Sequence, residues 1–462
     1  MKSLTIEFAG DLHYLEKGFI ILSAKGVRLR LFLDISRLVF GTWRGMPTGI
    51  DRVELAYAQY WLKHDPERVT FLLRGKVGAF VAVPQKLVRE LILALEARRL
   101  GGLGWQDSSK VSASIARAAI TRLSFGRGMR EVANMLSAEK DVAYLLVSHM
   151  GADRPAPIAA LRSKGAKFVP LVHDLIPVAY PEYASPDGVK RHMQRIEAFV
   201  GLADGIITNS STTAGDLSHF LPQGPRRPDI VTALLGVDQC STDMNFPIPS
   251  DAYFVCIGTL EPRKNHLLLL NTWRVLAERL GPDTPKLILI GRRGWENENV
   301  LDMLERCQAL AGLVREYPNL PDSAVARLLQ GARALLFPSF TEGYGLPLAE
   351  ALALGVPAIC SDLPALREVG GDVPEYLDPL DGLGWRHLIL SFTEEDSPVR
   401  AAQMRRMKRW EQPNWENHFS IVDPWLRQLA RASNGVTTHR FQNTPSATAT
   451  RPASTASTAP GS

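Results

Sequence analysis

Apolar residues along this chain fall into short runs separated by stretches with a helical repeat. Residues 29–35 (Leu-Arg-Leu-Phe-Leu-Asp-Ile) read as a strand, followed by a loop bearing Gly41, Gly45, Pro47 and Gly49, and then a helical pattern from about Ile50 to His64. Further apolar runs at 69–73, 142–147, 167–173, 205–208 and 230–235 alternate with helical stretches. Residues 221–228 are rich in Pro and Arg, and 236–250 lack periodicity while carrying Pro247 and Pro249, which is linker composition. A second series follows: strand 252–258, helix 265–280, strand 286–291, helix 297–308, a helical patch 322–331, strand 333–337, helix 347–354 and strand 356–360. Strands alternating with helices predict parallel sheets covered on both faces.

The length of 462 residues exceeds one comfortable core, so the simplest α/β architecture is two successive doubly wound, Rossmann-like domains facing a crevice. The expected boundaries are 1–240 and 241–414 for the two domains. A last amphipathic segment spans 415–432, with Trp415, Phe419, Ile421, Trp425 and Leu429. Residues 433–462 are mostly Thr, Ser, Ala and Pro with few apolar anchors, the composition of a disordered tail.

A net charge of +5 and a pI near 9.0 favour anionic ligands only weakly, and nothing points to a nucleic-acid partner. Cys240, Cys256, Cys307 and Cys360 form no C-x-x-C pair, which argues against a zinc site and gives no hint of a disulfide framework. The apolar run 18–24 is too short to span a bilayer and no other stretch is long enough, so a cytoplasmic protein is expected. Residues 86–99 and 109–131 set Lys and Arg against apolar faces. Such segments suit peripheral contact with the inner face of a membrane, or equally are ordinary helices with solvated cations, the reading preferred here.

Candidate chemistry concentrates at 335–355. An apolar run leads into a turn with Gly343 and Gly345 and then a helical pattern, with carboxylates at Glu342 and Glu350. Eight residues at about 1.5 Å rise separate the two by roughly 12 Å, the length of a sugar diphosphate. Between them, the amides of Gly343, Tyr344, Gly345 and Leu346 stand where a helix begins, which attracts phosphate oxygens. About 80 residues earlier, Phe254-Val-Cys-Ile-Gly258 ends a strand ahead of Arg263 and Lys264. Two adjacent cations there suit a diphosphate leaving group, Arg263 as a fork and Lys264 as a point charge.

The segment Glu342–Glu350, with Gly345, Leu346, Pro347 and Ala349 between, resembles the signature of family 4 retaining glycosyltransferases of the GT-B architecture. Gly355, Val356, Pro357, Ser361 and the stretch 363–371 continue the likeness. Gly258, Arg263 and Lys264 match the family's cationic loop, although Thr259 stands where many members have arginine. Sequences with similar Gly-Thr-Leu-Glu-Pro-Arg-Lys-Asn and Glu-Gly-Tyr-Gly-Leu-Pro stretches are often bacterial polysaccharide mannosyltransferases.

The resemblance implies a set of roles. Glu342 orients the donor sugar, Glu350 holds the ribose, Arg263 and Lys264 stabilise the departing diphosphate, and Gly258, Gly343, Tyr344, Gly345 and Leu346 line the donor site. His173, in Lys167-Phe-Val-Pro-Leu-Val-His173-Asp174, lies at the reaction centre, with Asp174 as its orienter or a loop former. The loop from Arg44 to Arg52 resembles the glycine loop near acceptor or donor phosphates, with Gly49 as the closest approach. Asn209-Ser210-Ser211 reads as a helix cap, and the arginines of Gly291-Arg292-Arg293-Gly294 as a surface loop. The segment 415–432 is expected to cross back to the first domain.

The partners so implied are a nucleotide-diphosphate sugar, GDP-mannose first, and a glycan or lipid-linked oligosaccharide acceptor. No D-x-D motif occurs, and neither metal nor cofactor is expected. A nucleotide-sugar epimerase and a noncatalytic nucleotide-sugar-binding scaffold are the rival readings.

Overall fold

A computed structural model describes residues 29–41, 47–75, 79–101, 105–124, 127–139, 141–223, 227–238 and 241–432. The apolar run 18–24, Arg44 and Gly45 of the glycine loop, Cys240 and the expected tail from Ser433 lie outside them. Strands β1 (Arg30–Asp34), β2 (Val69–Arg74), β3 (Phe80–Val83), β4 (Val142–Leu146), β5 (Ala166–Val172), β6 (Gly205–Thr208) and β7 (Asp229–Thr232) form one sheet. Their order is β3-β2-β1-β4-β5-β6-β7. A second sheet contains β8 (Tyr253–Ile257), β9 (Lys286–Ile290), β10 (Val314–Tyr317), β11 (Leu335–Phe337), β12 (Ala358–Ser361) and β13 (Glu375–Leu377). It runs β10-β9-β8-β11-β12-β13 with every pairing parallel.

Alternation of side chains across each strand builds a core on both faces. In β1, Leu31 and Leu33 join one apolar cluster and Phe32 the other, all fully buried. The strand order reverses between β1 and β4 and again between β8 and β11, and ligands of doubly wound sheets bind outside the carboxyl ends at such switch points. The loops carrying Arg263 and Lys264 follow β8, and the Glu342 turn follows β11, so both flank the second switch point.

The first sheet departs from the expected all-parallel form at β3, which pairs antiparallel with β2 (Phe71 opposite Val83). Residues 75–79 are too few for a parallel crossover, which needs a dozen or more. Strands β10 and β13 carry no apolar run and were not legible, because they are half-buried edges. The basic stretch ending at Arg99 is a helix, Gln85–Arg99, whose last two arginines turn inward. Arg98 is buried, and Arg99 pairs with Asp238 and Asp322. Among the described residues no helix is long and apolar enough to cross a membrane.

The helix Trp415–Ala432 lies on the first domain although it follows the second. Phe419 stacks on Tyr60 with centroids 3.7 Å apart, Tyr57 Oη and His418 Nε2 share a hydrogen bond of 2.7 Å, and Arg68 pairs with Asp423 at 2.5 Å. The two connecting segments touch where Val237 N donates to Pro413 O at 3.0 Å. A Cβ on Gly236 would stand 2.4 Å from Trp415 N, so only glycine fits that crossing. Phe419→Ala is expected to lower stability by about 3–5 kcal/mol, the usual cost of emptying a buried aromatic site. Urea unfolding followed by tryptophan fluorescence measures it, and a loss below ~1 kcal/mol would mean that this helix is not part of the first domain's core.

Candidate active site

Two parallel strands set the cationic loop. Gly258 (φ +152°), just after β8, lies beside Gly291 (φ +151°), and a Cβ on Gly291 would stand 2.0 Å from Gly258 O. Glycine at 291 therefore lets the ends of β8 and β9 approach closely enough for the chain to turn. Pro262–Lys264 then forms one helical turn, and Lys264 folds back so that its aliphatic stem runs past Gly258. The ammonium lies 4.9 Å from the centroid of the Phe337 ring, at the end of β11.

Four charges meet here. Lys264 Nζ donates to Glu342 Oε1, Arg263 Nη1 lies 3.1 Å from Glu342 Oε2, and Arg263 Nε lies 2.6 Å from Glu261 Oε1. Glu342 and Lys264 are each only 9% exposed. Burial alone would push the Glu342 carboxyl upward, but the adjacent Lys264 and Arg263 cations outweigh it and hold the pKa at about 2. Burial, with Arg263 next to it, lowers the Lys264 pKa, whereas the Glu342 and Glu261 carboxylates overcome burial and raise that of Arg263. The two cations expected to face a diphosphate are thus already matched by two carboxylates.

The helix after the turn is Leu346–Ala353, with Pro347 in its first turn and Gly345 at the N-cap (φ +106°). Leu348, Ala349, Ala351 and Leu352 are its buried residues. Gly343 faces the first domain: a Cβ there would stand 2.3 Å from His173 O. Its carbonyl accepts from Ser210 Oγ at 2.7 Å. Ser210 caps its helix as expected, accepting from Thr213 N at 3.0 Å, and additionally holds the Glu342 turn. Tyr344 is buried, with its hydroxyl donating to Leu235 O at 2.6 Å, and Leu346 packs against Gly49.

Glu350, at the far end of the element, pairs with Arg52 from the first domain's helix Gly49–His64. Arg52 also reaches Asp322 at 2.6 Å, Asp322 reaches Arg99 at 2.8 Å, and Arg99 reaches Asp238 at 3.1 Å. Burial raises the Glu350 pKa, against the opposing pull of Arg52. A cavity of about 250 Å³ opens beside this chain of charges, lined by Arg52, Asp322, Glu350 and Trp415 among others.

His173 directly follows β5 with its ring against Val147 O, Nε2 to O 2.7 Å, and burial lowers its pKa. The backbone carbonyl of Val147 orients this ring. Asp174 Oδ1 accepts from Ile176 N at 3.2 Å, the loop-forming role of the two alternatives. Arg293 pairs on the surface with Glu305 and Glu316. Arg52 and Arg99 were missed as site residues. Arg52 closes the glycine-loop stretch, but its partners lie some 270 and 298 residues away, beyond any local signal.

Comparison with known proteins fits this geometry. The sequence pattern of glycosyl transferases group 1 matches residues 245–373, which include both carboxylates and the cation pair. The O-antigen chain mannosyltransferase B of Escherichia coli is 32% identical over 54% of this chain and 68% of its own length. The chain belongs to the group 1 glycosyl transferases. The serotype-specific mannosyltransferase WbdA of the same species is 28% identical over 51% of this chain, which spans about a third (31%) of that relative's length. Among solved structures, sucrose-phosphate synthase from Thermosynechococcus elongatus superposes with a TM-score of 0.53 at 14% identity, covering 87% of this chain and all (100%) of the other. That likeness shows the fold alone, and the fold of this glycosyltransferase is GT-B.

Glu342→Gln leaves a buried cation without its counter-charge and is expected to cost about 3–5 kcal/mol at pH 7. The depressed carboxyl contributes stability above its unfolded pKa of 4.5 that is lost as pH falls towards about 2. Urea midpoints at several pH values should therefore fall more steeply between pH 5 and 2 in the wild type than in the variant. Parallel curves would mean that Glu342 is not the paired carboxylate.

Proposed function

We propose that this glycosyltransferase moves mannose from GDP-mannose to a glycan acceptor in surface-polysaccharide synthesis, keeping the anomeric configuration and using no metal. The observation that carries the reading is the ion-paired quartet of Glu261, Arg263, Lys264 and Glu342 beside a helix N-terminus. Similarity to O-antigen mannosyltransferases supports the sugar and the pathway class.

In this reading the donor's diphosphate takes over the hydrogen bonds that Arg263 and Lys264 now give to Glu342. Glu342, released from them, accepts from sugar hydroxyls, and Glu350 accepts from the ribose. The bond from the anomeric carbon to the diphosphate breaks as the acceptor oxygen bonds to the same carbon, and the acceptor's proton leaves with the diphosphate. With a pKa of about 2, Glu342 is a poor base, so its contribution is electrostatic. His173 remains neutral near pH 7, and a ring that gives its Nε2 proton to Val147 O keeps Nδ1 as an acceptor for a sugar hydroxyl. Catalysis is mainly positioning and charge stabilisation.

Purified protein incubated with GDP-mannose and mannose oligosaccharides should release GDP only when the acceptor is present, and chelator should leave the rate unchanged. Lys264→Ala and Glu342→Ala, checked for folding by circular dichroism, should each lower transfer by at least ~10²-fold. Equal GDP release without acceptor would contradict the transfer reading, wild-type rates in folded variants would contradict the residue roles, and transfer from a UDP or dTDP sugar alone would replace the donor.

A further inference from the structure

The first domain has a second cavity, of about 360 Å³, at the carboxyl ends of β4 and β5. His149, His173 and His192 line it together with Arg191 and Arg195, and Trp295 from the loop after β9 completes the wall from the second domain. Neither Arg263 nor Lys264 is part of this wall. The cavity therefore adjoins His173 while standing apart from the cations assigned to the donor diphosphate.

The wall itself carries two guanidiniums, Arg191 and Arg195, against one carboxylate. Asp174 is the carboxylate in the wall, and one of its oxygens already accepts from Ile176 N at 3.2 Å. Arg195 is 20% exposed, and its Nε is buried with no hydrogen-bond partner. Asp153, outside this wall, forms an ion pair with that Nε at 3.8 Å, beyond hydrogen-bond range. The His149 ring, at 6.5 Å from His192, is held well below its ordinary pKa, by burial first and then by Arg195, Arg37 and the two other histidines. Three neighbouring histidines are no metal site here, because His173 and His192 turn Nε2 onto the carbonyls of Val147 and Asp174. Among the described residues no group of three such side chains could hold a metal ion. An open cavity with a guanidinium lacking a hydrogen-bond acceptor suits an oxyanion, and the planar fork of arginine matches phosphate.

We propose that this cavity binds a phosphate group carried by the acceptor, held by Arg195 with Arg191 and His149, so that the acceptor docks beside His173. The proposal rests on the glycosyltransferase reading above for the word acceptor, but phosphate binding itself does not depend on turnover. It narrows the acceptor to a phosphorylated glycan or a phosphate-linked carrier.

Calorimetric titration of the full chain with methyl phosphate, in the presence of saturating GDP, tests it. The expected result is saturable one-to-one binding, weakened at least ten-fold in Arg195→Gln, partly restored in Arg195→Lys, and with GDP affinity unchanged in both. His149→Asn, expected to weaken methyl phosphate binding several-fold, serves if Arg195→Gln fails to fold. Absence of saturable binding to wild type, or binding that survives these substitutions, would overturn the proposal. So would methyl phosphate binding that disappears when GDP is added, because the phosphate would then belong to the donor. Failure of the donor reading has a different signature, the absence of any GDP binding.

Discussion

The buried ion pairs of Glu342 with Lys264 and Arg263 organise the crevice. Taking a carboxylate and an ammonium out of water costs several kcal/mol per ion, and only close mutual pairing offsets it. Glu261 supplies the second carboxylate, so the quartet is neutral within itself. It ties the loop after β8 to the loop after β11 across the switch point of the second sheet. The same pairing sets the chemistry proposed for the site: the cations are already desolvated and aimed, and an arriving diphosphate exchanges for a protein carboxylate rather than for water. Preorganisation of that kind is the main source of electrostatic catalysis.

The first domain closes over this element at both ends. Ser210 holds the Gly343 carbonyl and Arg52 holds Glu350, so the span between the two carboxylates is gripped from across the crevice. Through Asp322, Arg99 and Asp238 the second grip becomes a chain of three carboxylates and two guanidiniums after Glu350 is counted. In the proposed reading, a donor that takes the Glu350 oxygen now held by Arg52 displaces a contact that joins the two domains.

Much of this was legible in the sequence. The buried strands β1, β4, β5, β8 and β9 announced themselves as apolar runs, because a strand covered on both faces has little room for polar residues. The cationic loop and the two glutamates were legible because short-range spacing sets where they lie on a strand, turn and helix. What stayed hidden depends on contacts between distant segments. Half-buried edge strands such as Val314–Tyr317 lack an apolar signature. The inward turn of Arg98 and Arg99 looked like a solvated basic face. Sequence spacing gave no sign that the cation pair would be spoken for by Glu261 and Glu342, since ion pairing is decided by side-chain packing after the loops have met.

The exchange of a protein carboxylate for the donor's diphosphate is open to direct observation in a crystal structure of the chain with GDP bound. The account predicts Arg263 and Lys264 nitrogens within hydrogen-bond distance of the β-phosphate, Glu342 withdrawn from both cations towards the sugar position, and Glu350 turned from Arg52 to the ribose. GDP bound elsewhere, with the Glu342 ion pairs intact, would contradict it.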